Sequence, residues 1–389
     1  MGISFSVSGA FIGEDLEFVE GPLTIVLNEG VIESLSKSSS GVVDLRGYVA
    51  VPPLANMHTH LLDYAILESG WDLDIDSVVG EPYGLKYVLL NTLDVESLRL
   101  RLSEVVNYIV SEGVGFIAEF RELGVKGLLI DYGRRLPTHY VLGMPSKHDD
   151  VDAEVTQILS VADGIGISSP HYFKEEDLKK IFNKASTSGK LLHSHISETA
   201  DTHEEGDLSK LLKAGKPNAV IHAVWLNDEE LDSIKNLNIP VVLCLRSNLW
   251  FTSGLPKIRK IYETGVNVSL GTDNAGWVKP DIWRDAELLY FLLRYQGIND
   301  PRWVLKALTN ASPVNIRNFI DEGQQANILF VRYYNTPLEI ARNKYVGLIK
   351  RGGMELVDGL IIHGLLAYCR VGTGVEALRD YIRNDVGRR

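Results

Sequence analysis

Two cysteines and four methionines are all the sulfur that this 389-residue sequence carries. Cys244 and Cys369 sit far apart, in the apolar runs IPVVLCL and LLAYC. That spacing excludes a disulfide framework and a thiolate zinc finger, and it predicts buried, reduced thiols in a cytoplasmic protein. No apolar run approaches the roughly 18 residues that cross a bilayer, so no membrane span is expected. Nor is there a block of Lys and Arg. With a net charge of −12, a nucleic-acid-binding surface is not expected. The opening stretch MGISFSVSGAFIGEDLEF lacks a basic n-region and a long apolar core, which argues against a secretory signal there. Its Met-Gly-x-x-x-Ser start formally fits a myristoylation pattern, but an ordinary strand is the expectation. Repeats of fixed period and low-complexity tracts are also missing. What is present is ordinary for a globular chain: 45% hydrophobic and 23% charged residues.

Short alternating runs with turn residues fill 3–50 (SFSVSGAFIG, LTIVLNEGVIESL, GVVDLRGYVAV), a β segment too small to bury a core alone. From about residue 51 the pattern changes. YVAVPPLANMH, GVGFIAEF, THYVLGM, DGIGISS, KLLHSHI, NAVIHAV, IPVVLCL and NVSLGTD read as strands. Amphipathic stretches separate them, such as KEEDLKKIFNKAS, where Leu178, Ile181, Phe182 and Ala185 mark one helical face. Others are VESLRLRLSEVVNYIVSEG, KGLLIDYGRRL and GLPKIRKIYETG. Eight strands alternating with helices suit a (β/α)8 barrel, although a doubly wound open sheet gives the same alternation. After the helical stretch PRWVLKALTNASPVNIRNF, ANILFVRYY and GLIIHGLLAYC read as strands again. The expectation is an α/β protein with a barrel over 51–324. A small β-sandwich domain is built from 1–50 plus 325–370, and a helical tail spans 371–389.

The polar residues supply the functional signal. His58 and His60 in PPLANMHTH are two apart at a strand end, so their imidazoles share a face and can converge on one metal ion. The pair alone is weak. However, His195 in KLLHSHI, His222 in NAVIHAV and Asp273 in NVSLGTD also lie at or near the C-terminal ends of expected strands, where barrel enzymes gather their chemistry. His193 forms a second His-x-His with His195, and a histidine in an apolar strand is often only a core hydrogen-bonding group.

On these motifs the chain resembles the amidohydrolase superfamily, in the branch of cytosine deaminase, S-adenosylhomocysteine deaminase and the triazine hydrolases, from about residue 45 to 332. PPLANMHTH matches the opening motif with Pro53 for its usual glycine. HISET supplies His195 and Glu198, CLRSNLWFTSGLP carries Leu245 for a proline, and GTD ends on Asp273. ANILF places Asn327 where an aspartate is customary.

The resemblance implies a small-molecule hydrolase acting on C–N bonds other than peptide bonds, most simply a deaminase of a heterocycle such as a purine or pyrimidine. Hydrolysis of a cyclic amide or a C–Cl bond on the same scaffold is the alternative, and a non-catalytic binding protein the reading of another class. It implies a divalent metal held by His58, His60, His195 and Asp273. The fourth strand, GISSPHYF, has no lysine to bridge two ions, which favours one. Zinc suits such N/O ligands with an open position, and Fe(II) or Mn(II) share the ligand type. By the same resemblance Asp273 orients the attacking water and takes its proton, His222 hydrogen-bonds it, and Glu198 is the general acid/base. His171 is expected to contact substrate. One of Glu119 and Arg121 in AEFRE is a candidate to face the pocket, Arg121 being suited to a substrate carboxylate or ring carbonyl, with an ordinary surface ion pair the equal alternative. The insert 63–93, with Trp71 and EPYGLK, falls where barrel enzymes place substrate-covering loops. Homo-oligomerisation is left open.

Overall fold

The computed structural model describes residues 2–133, 138–145 and 151–379. Parts of the expected helix in KGLLIDYGRRL and most of the tail over 371–389 lie outside them.

The chain's two ends meet in one seven-stranded mixed sheet. Its strands are β1 (Ile3–Ile12), β2 (Glu17–Asn28), β3 (Val31–Ser36) and β4 (Val43–Val51), with β14 (Ile328–Arg332), β15 (Val357–Ile362) and β16 (Leu365–Cys369) from the far end. The order is β16-β15-β14-β4-β1-β2-β3. β1 and β4 pair in parallel, while β14 joins β4 antiparallel and so brings the two termini together. This sheet packs around its own core, which includes Phe5, Ile25, Leu45, Phe330 and Ile361.

The second sheet is the barrel. Its strands are β5 (Leu54–His60), β6 (Val114–Arg121), β7 (Thr138–Gly143), β8 (Gly164–Ile167), β9 (Leu191–Ile196), β10 (Ala219–His222), β11 (Val241–Leu243), β12 (Val268–Leu270) and β13 (Asp273–Asn274). All pairings are parallel. The run YVAVPPLANMH, expected as one strand, is divided at Pro52-Pro53: Val43–Val51 belongs to the small sheet and Leu54–His60 to the barrel. Two prolines lack the N–H groups that a continuing ladder needs.

β12 and β13 are two halves of the eighth strand. The first half bonds β11 and the second bonds β5, so the ring closes through the interruption. The Asn56 side chain stitches the gap, donating to Thr272 Oγ1 at 2.8 Å and accepting from the Thr272 N–H at 3.0 Å. Gly271 is required at this point, because a Cβ there would lie 2.8 Å from the Cβ of His58.

Helices cover the ring. Glu175–Thr187 buries Leu178, Ile181, Phe182 and Ala185, the face its spacing predicts, and opens with three acidic residues that complement the helix dipole. PRWVLKALTNASPVNIRNF is helical only over Pro301–Thr309 and then turns into a short 3-10 segment at Ser312–Val314, since Pro313 cannot extend the helix. The insert after β5 folds into a 3-10 turn (Leu61–Ile66) and two short helices (Ile75–Val79 and Leu85–Thr92). None of the helices among the described residues is long and apolar enough to cross a membrane.

Candidate metal centre

Parallel strands in a closed ring end on one face, and alternation along each strand decides which side chains point inward. β5 therefore turns His58 and His60 to the inside, where the two rings stand edge to face with centroids 4.9 Å apart. His195 comes in from β9, its Nε2 only 3.1 Å from Nε2 of His58. Asp273 Oδ1 lies 3.1 Å from His58 Nε2 and 3.4 Å from His60 Nε2. Asp273 itself has φ 62°, a left-handed conformation that turns its carboxylate toward the ring axis just after the Gly271 crossing.

Four ligands at roughly 2.0–2.1 Å in a tetrahedral zinc site stand about 3.3–3.4 Å from one another. The His58–Asp273, His60–Asp273 and His58–His195 spacings are close to that, so His58, His60 and Asp273 fit a single divalent ion, while His195 groups with His58 and His222. His58, His60 and Asp273 place their ligand atoms within 4.8 Å of one another, and so do Glu198, His222 and Asp273.

Neighbouring groups orient this set. His195 Nδ1 faces the Ser168 carbonyl at 3.1 Å, leaving its Nε2 for the interior. Ser247 donates to Asp273 Oδ2 at 2.6 Å, and Asn248 Nδ2 lies 3.0 Å from His222 Nδ1. His60 Nδ1 bonds the Glu122 carboxylate, which takes the Lys86 ammonium at 2.9 Å. Lys86 also reaches Asp63 at 3.2 Å. Such outer partners fix tautomer and ring angle in metal sites.

The electrostatics follow from burial. Removal from water pushes His58 down to about 3 despite the pull of Asp273, and holds His195 well below its ordinary value. Neutral imidazole is the form that ligates a metal. For Asp273 burial disfavours the charge, but the His58 hydrogen bond and the surrounding imidazoles keep the carboxyl well below the usual range. Glu198 is raised by burial and by the charge of Asp273, against the pull of His222.

The cavity above these residues has a volume of about 270 Å³. His60, His195, His222, Glu198 and Asp273 form its floor side, and the insert contributes Glu81, Lys86 and Tyr87. His222 Nε2 is buried without a hydrogen-bond partner. His171 lies on the wall, tied to the Thr202 carbonyl at 3.1 Å and 3.2 Å from the Glu205 carboxylate.

Arg121 is not in this cavity. Residues two apart on a strand share a face, so Glu119 and Arg121 point together away from the barrel axis, while Phe120 between them stacks on His195. The Arg121 guanidinium takes both Glu119 oxygens, at 2.7 and 2.6 Å, and donates to the carbonyls of Gly127 and Ile130. Four of its five N–H groups are used in this way and none of it lines the cavity, so the expected contact is corrected to a buried structural pair. His193 shares its face with His195 but sits deeper, against the Pro313 carbonyl at 2.9 Å, and belongs to the core. Glu122, Lys86, Ser247 and Asn248 were not anticipated. The SN pair lay within a motif that signalled the site, whereas nothing in EPYGLK marked its lysine.

The Amidohydrolase family model matches residues 49–353. An uncharacterized protein of Methanocaldococcus jannaschii is 30% identical over 87% of this chain and 92% of its own length. A 5-methylthioadenosine/S-adenosylhomocysteine deaminase of Thermococcus sibiricus is 24% identical, covering 90% of each chain. Among solved structures, an adenosine deaminase from Xanthomonas campestris with bound zinc superposes with a TM-score of 0.81 at 16% identity, over 99% of this chain and 98% of that one. Guanine deaminase from C. acetobutylicum gives 0.78 at 17% identity, over 94% and 100%.

Proposed function

Because this chain belongs to the amidohydrolase family, we propose that it is a metal-dependent deaminase that releases ammonia from a nitrogen heterocycle. The single observation that supports this best is the placing of Glu198 and His222 beside His60, His195 and Asp273 in one cavity, with His58 buried next to His195 and Asp273. We assign His58, His60, His195 and Asp273 as the residues that hold one divalent ion, with zinc as the first choice for this N/O set. A divalent ion held by these residues would supply Lewis-acid activation of a water nucleophile at neutral pH.

The protein groups do the rest. Asp273 receives the proton of the attacking water. His222, whose Nε2 makes no hydrogen bond and lies 3.4 Å from Glu198 Oε2, hydrogen-bonds the oxygen as negative charge develops on it. Glu198, with its raised pKa, holds a proton long enough to deliver it to a ring nitrogen or to the departing amine. His171 on the cavity wall is the substrate contact. Relatives named as 5-methylthioadenosine/S-adenosylhomocysteine deaminases make adenine-bearing nucleosides the first compounds to assay.

The test is ammonia release by the zinc-loaded protein from purine and pyrimidine bases and nucleosides. Release from at least one, abolished in E198Q, supports the proposal. Bound metal without ammonia from any of them favours cyclic-amide or C–Cl hydrolysis instead. A chain with no metal affinity is not a catalyst of this kind.

A further inference from the structure

His60, Asp63 and Glu122 form a second group of ligand-type atoms within 4.8 Å of one another, displaced from the first to the outer side of His60. A cation already serves it. The Lys86 ammonium lies 2.9 Å from Glu122 and 3.2 Å from Asp63, and Lys86 is only 2% exposed. Lys86 belongs to neither the ring of strands nor its covering helices. It comes from the insert after β5, on the helix Leu85–Thr92, whose Tyr87 also lines the cavity.

Resting on the metal assignment above, we propose that Lys86 is a positioning residue for the metal centre: delivered by the cavity-covering insert, its ammonium fixes Glu122 against Nδ1 of His60 and so sets which nitrogen His60 turns toward Asp273.

A carboxylate accepts only. The His60 nitrogen bonded to Glu122 must therefore carry the ring proton, and Nε2, 3.4 Å from Asp273 Oδ1, presents its lone pair inward. Glu122 and Asp63 are both fully buried. Two carboxylates at that depth need a nearby positive charge, and the ammonium meets it while pinning the oxygen that faces His60. Gly84, which caps the Lys86 helix, is held tightly as well, since a Cβ there would lie 2.7 Å from the Gly80 carbonyl oxygen. The stem that carries the ammonium is thus set by backbone packing. Through one side chain, the fold of the insert and the geometry of the metal centre become linked.

The experiment measures zinc affinity of the metal-free full-length chain by chelator competition in wild type, K86M, E122Q and K86M/E122Q. Outer-shell partners of a metal ligand are typically worth 10–100-fold in affinity. Each single variant is expected to lose about that much, and the double variant no more than the worse single, because Lys86 acts through Glu122. Cobalt-loaded K86M should also show a visible spectrum altered from that of wild type. Should K86M fail to fold, E122Q carries the comparison, since it conserves volume.

Zinc affinity unchanged within threefold in folded K86M or E122Q overturns the inference. So do losses that multiply in the double variant, which mark two independent structural defects. A wild-type chain that binds no zinc fails the metal assignment itself, a result these variants do not mimic.

Discussion

Glu198 Oε2 stands 3.4 Å from Nε2 of His222, and both face the cavity in which Asp273 lies. On the proposed assignment this pair puts the general acid and one imidazole on the same side of the reaction centre and leaves His58, His60 and His195 as the metal-holding histidines. The two roles are therefore separable by mutation. E198Q keeps the shape and the hydrogen-bonding edge but cannot move a proton. It should retain wild-type metal content and lose about 10²–10⁴ in kcat, the usual share of general acid–base catalysis. Steady-state kinetics on the best substrate, paired with elemental analysis, checks this; metal loss in E198Q would move Glu198 into the ligand set.

Removing a ligand should behave oppositely. H195A and D273N each remove a proposed donor that stands 3.1 Å from Nε2 of His58. Metal content should fall well below that of wild type, with activity falling in parallel. Zinc should also raise the melting temperature of the metal-free wild type, by a stabilisation of about 4 kcal/mol at a thousandfold excess over Kd. The same addition should do much less for D273N. Unchanged metal content in both variants would contradict the assignment.

The barrel and most of the proposed centre were legible because their signals are local. Alternation places His58 and His60 on one face whatever the fold, and Leu178, Ile181, Phe182 and Ala185 mark their helix by spacing alone. The helix Ile282–Tyr295 carried a similar signal, with Ile282, Ala286, Leu289 and Leu293 on its buried face, and was overlooked. Lys86 was not legible. Its partners, Asp63 and Glu122, come from different connections of the ring, and only tertiary closure brings them together. Arg121 misled for a related reason. An arginine near a strand's C-terminal end suggests a substrate contact, but its parity with Glu119 sends both side chains outward. Pairing along the strand consumed the charge that recognition would have used.

That outward pair has a measurable signature. Arg121 is 2% exposed and Glu119 fully buried. Deleting Arg121 leaves the buried Glu119 carboxylate with only His139, whose Nε2 lies 2.7 Å from Oε2, a loss of up to about 3–5 kcal/mol. R121M should therefore lower the urea midpoint sharply while the folded fraction keeps the wild-type KM. A raised KM with unchanged stability would return Arg121 to the substrate site.

A buried acid remote from the proposed site gives the chain its own pH dependence. Glu112 accepts from the Tyr108 hydroxyl and is pushed up to about 8, first by burial and then by the nearby Asp281 charge, with Lys279 opposing. Asp281 Oδ1 and Glu112 Oε2 are both buried without partners, which leaves the carboxylate form poorly served. The folded state therefore keeps a proton that the unfolded chain, with a glutamate near 4.3, has already released. Protons are in excess on the folded side between those two values, so stability falls as pH rises through this window, by up to about 1.4 kcal/mol per unit, and levels off above it. E112Q is neutral like the protonated acid and removes this contribution to the slope. Urea midpoints at pH 5, 6, 7 and 8 should show E112Q near wild type at the acid end and progressively more stable than wild type toward pH 8. Parallel curves for the two proteins would mean that Glu112 is already ionised in the fold.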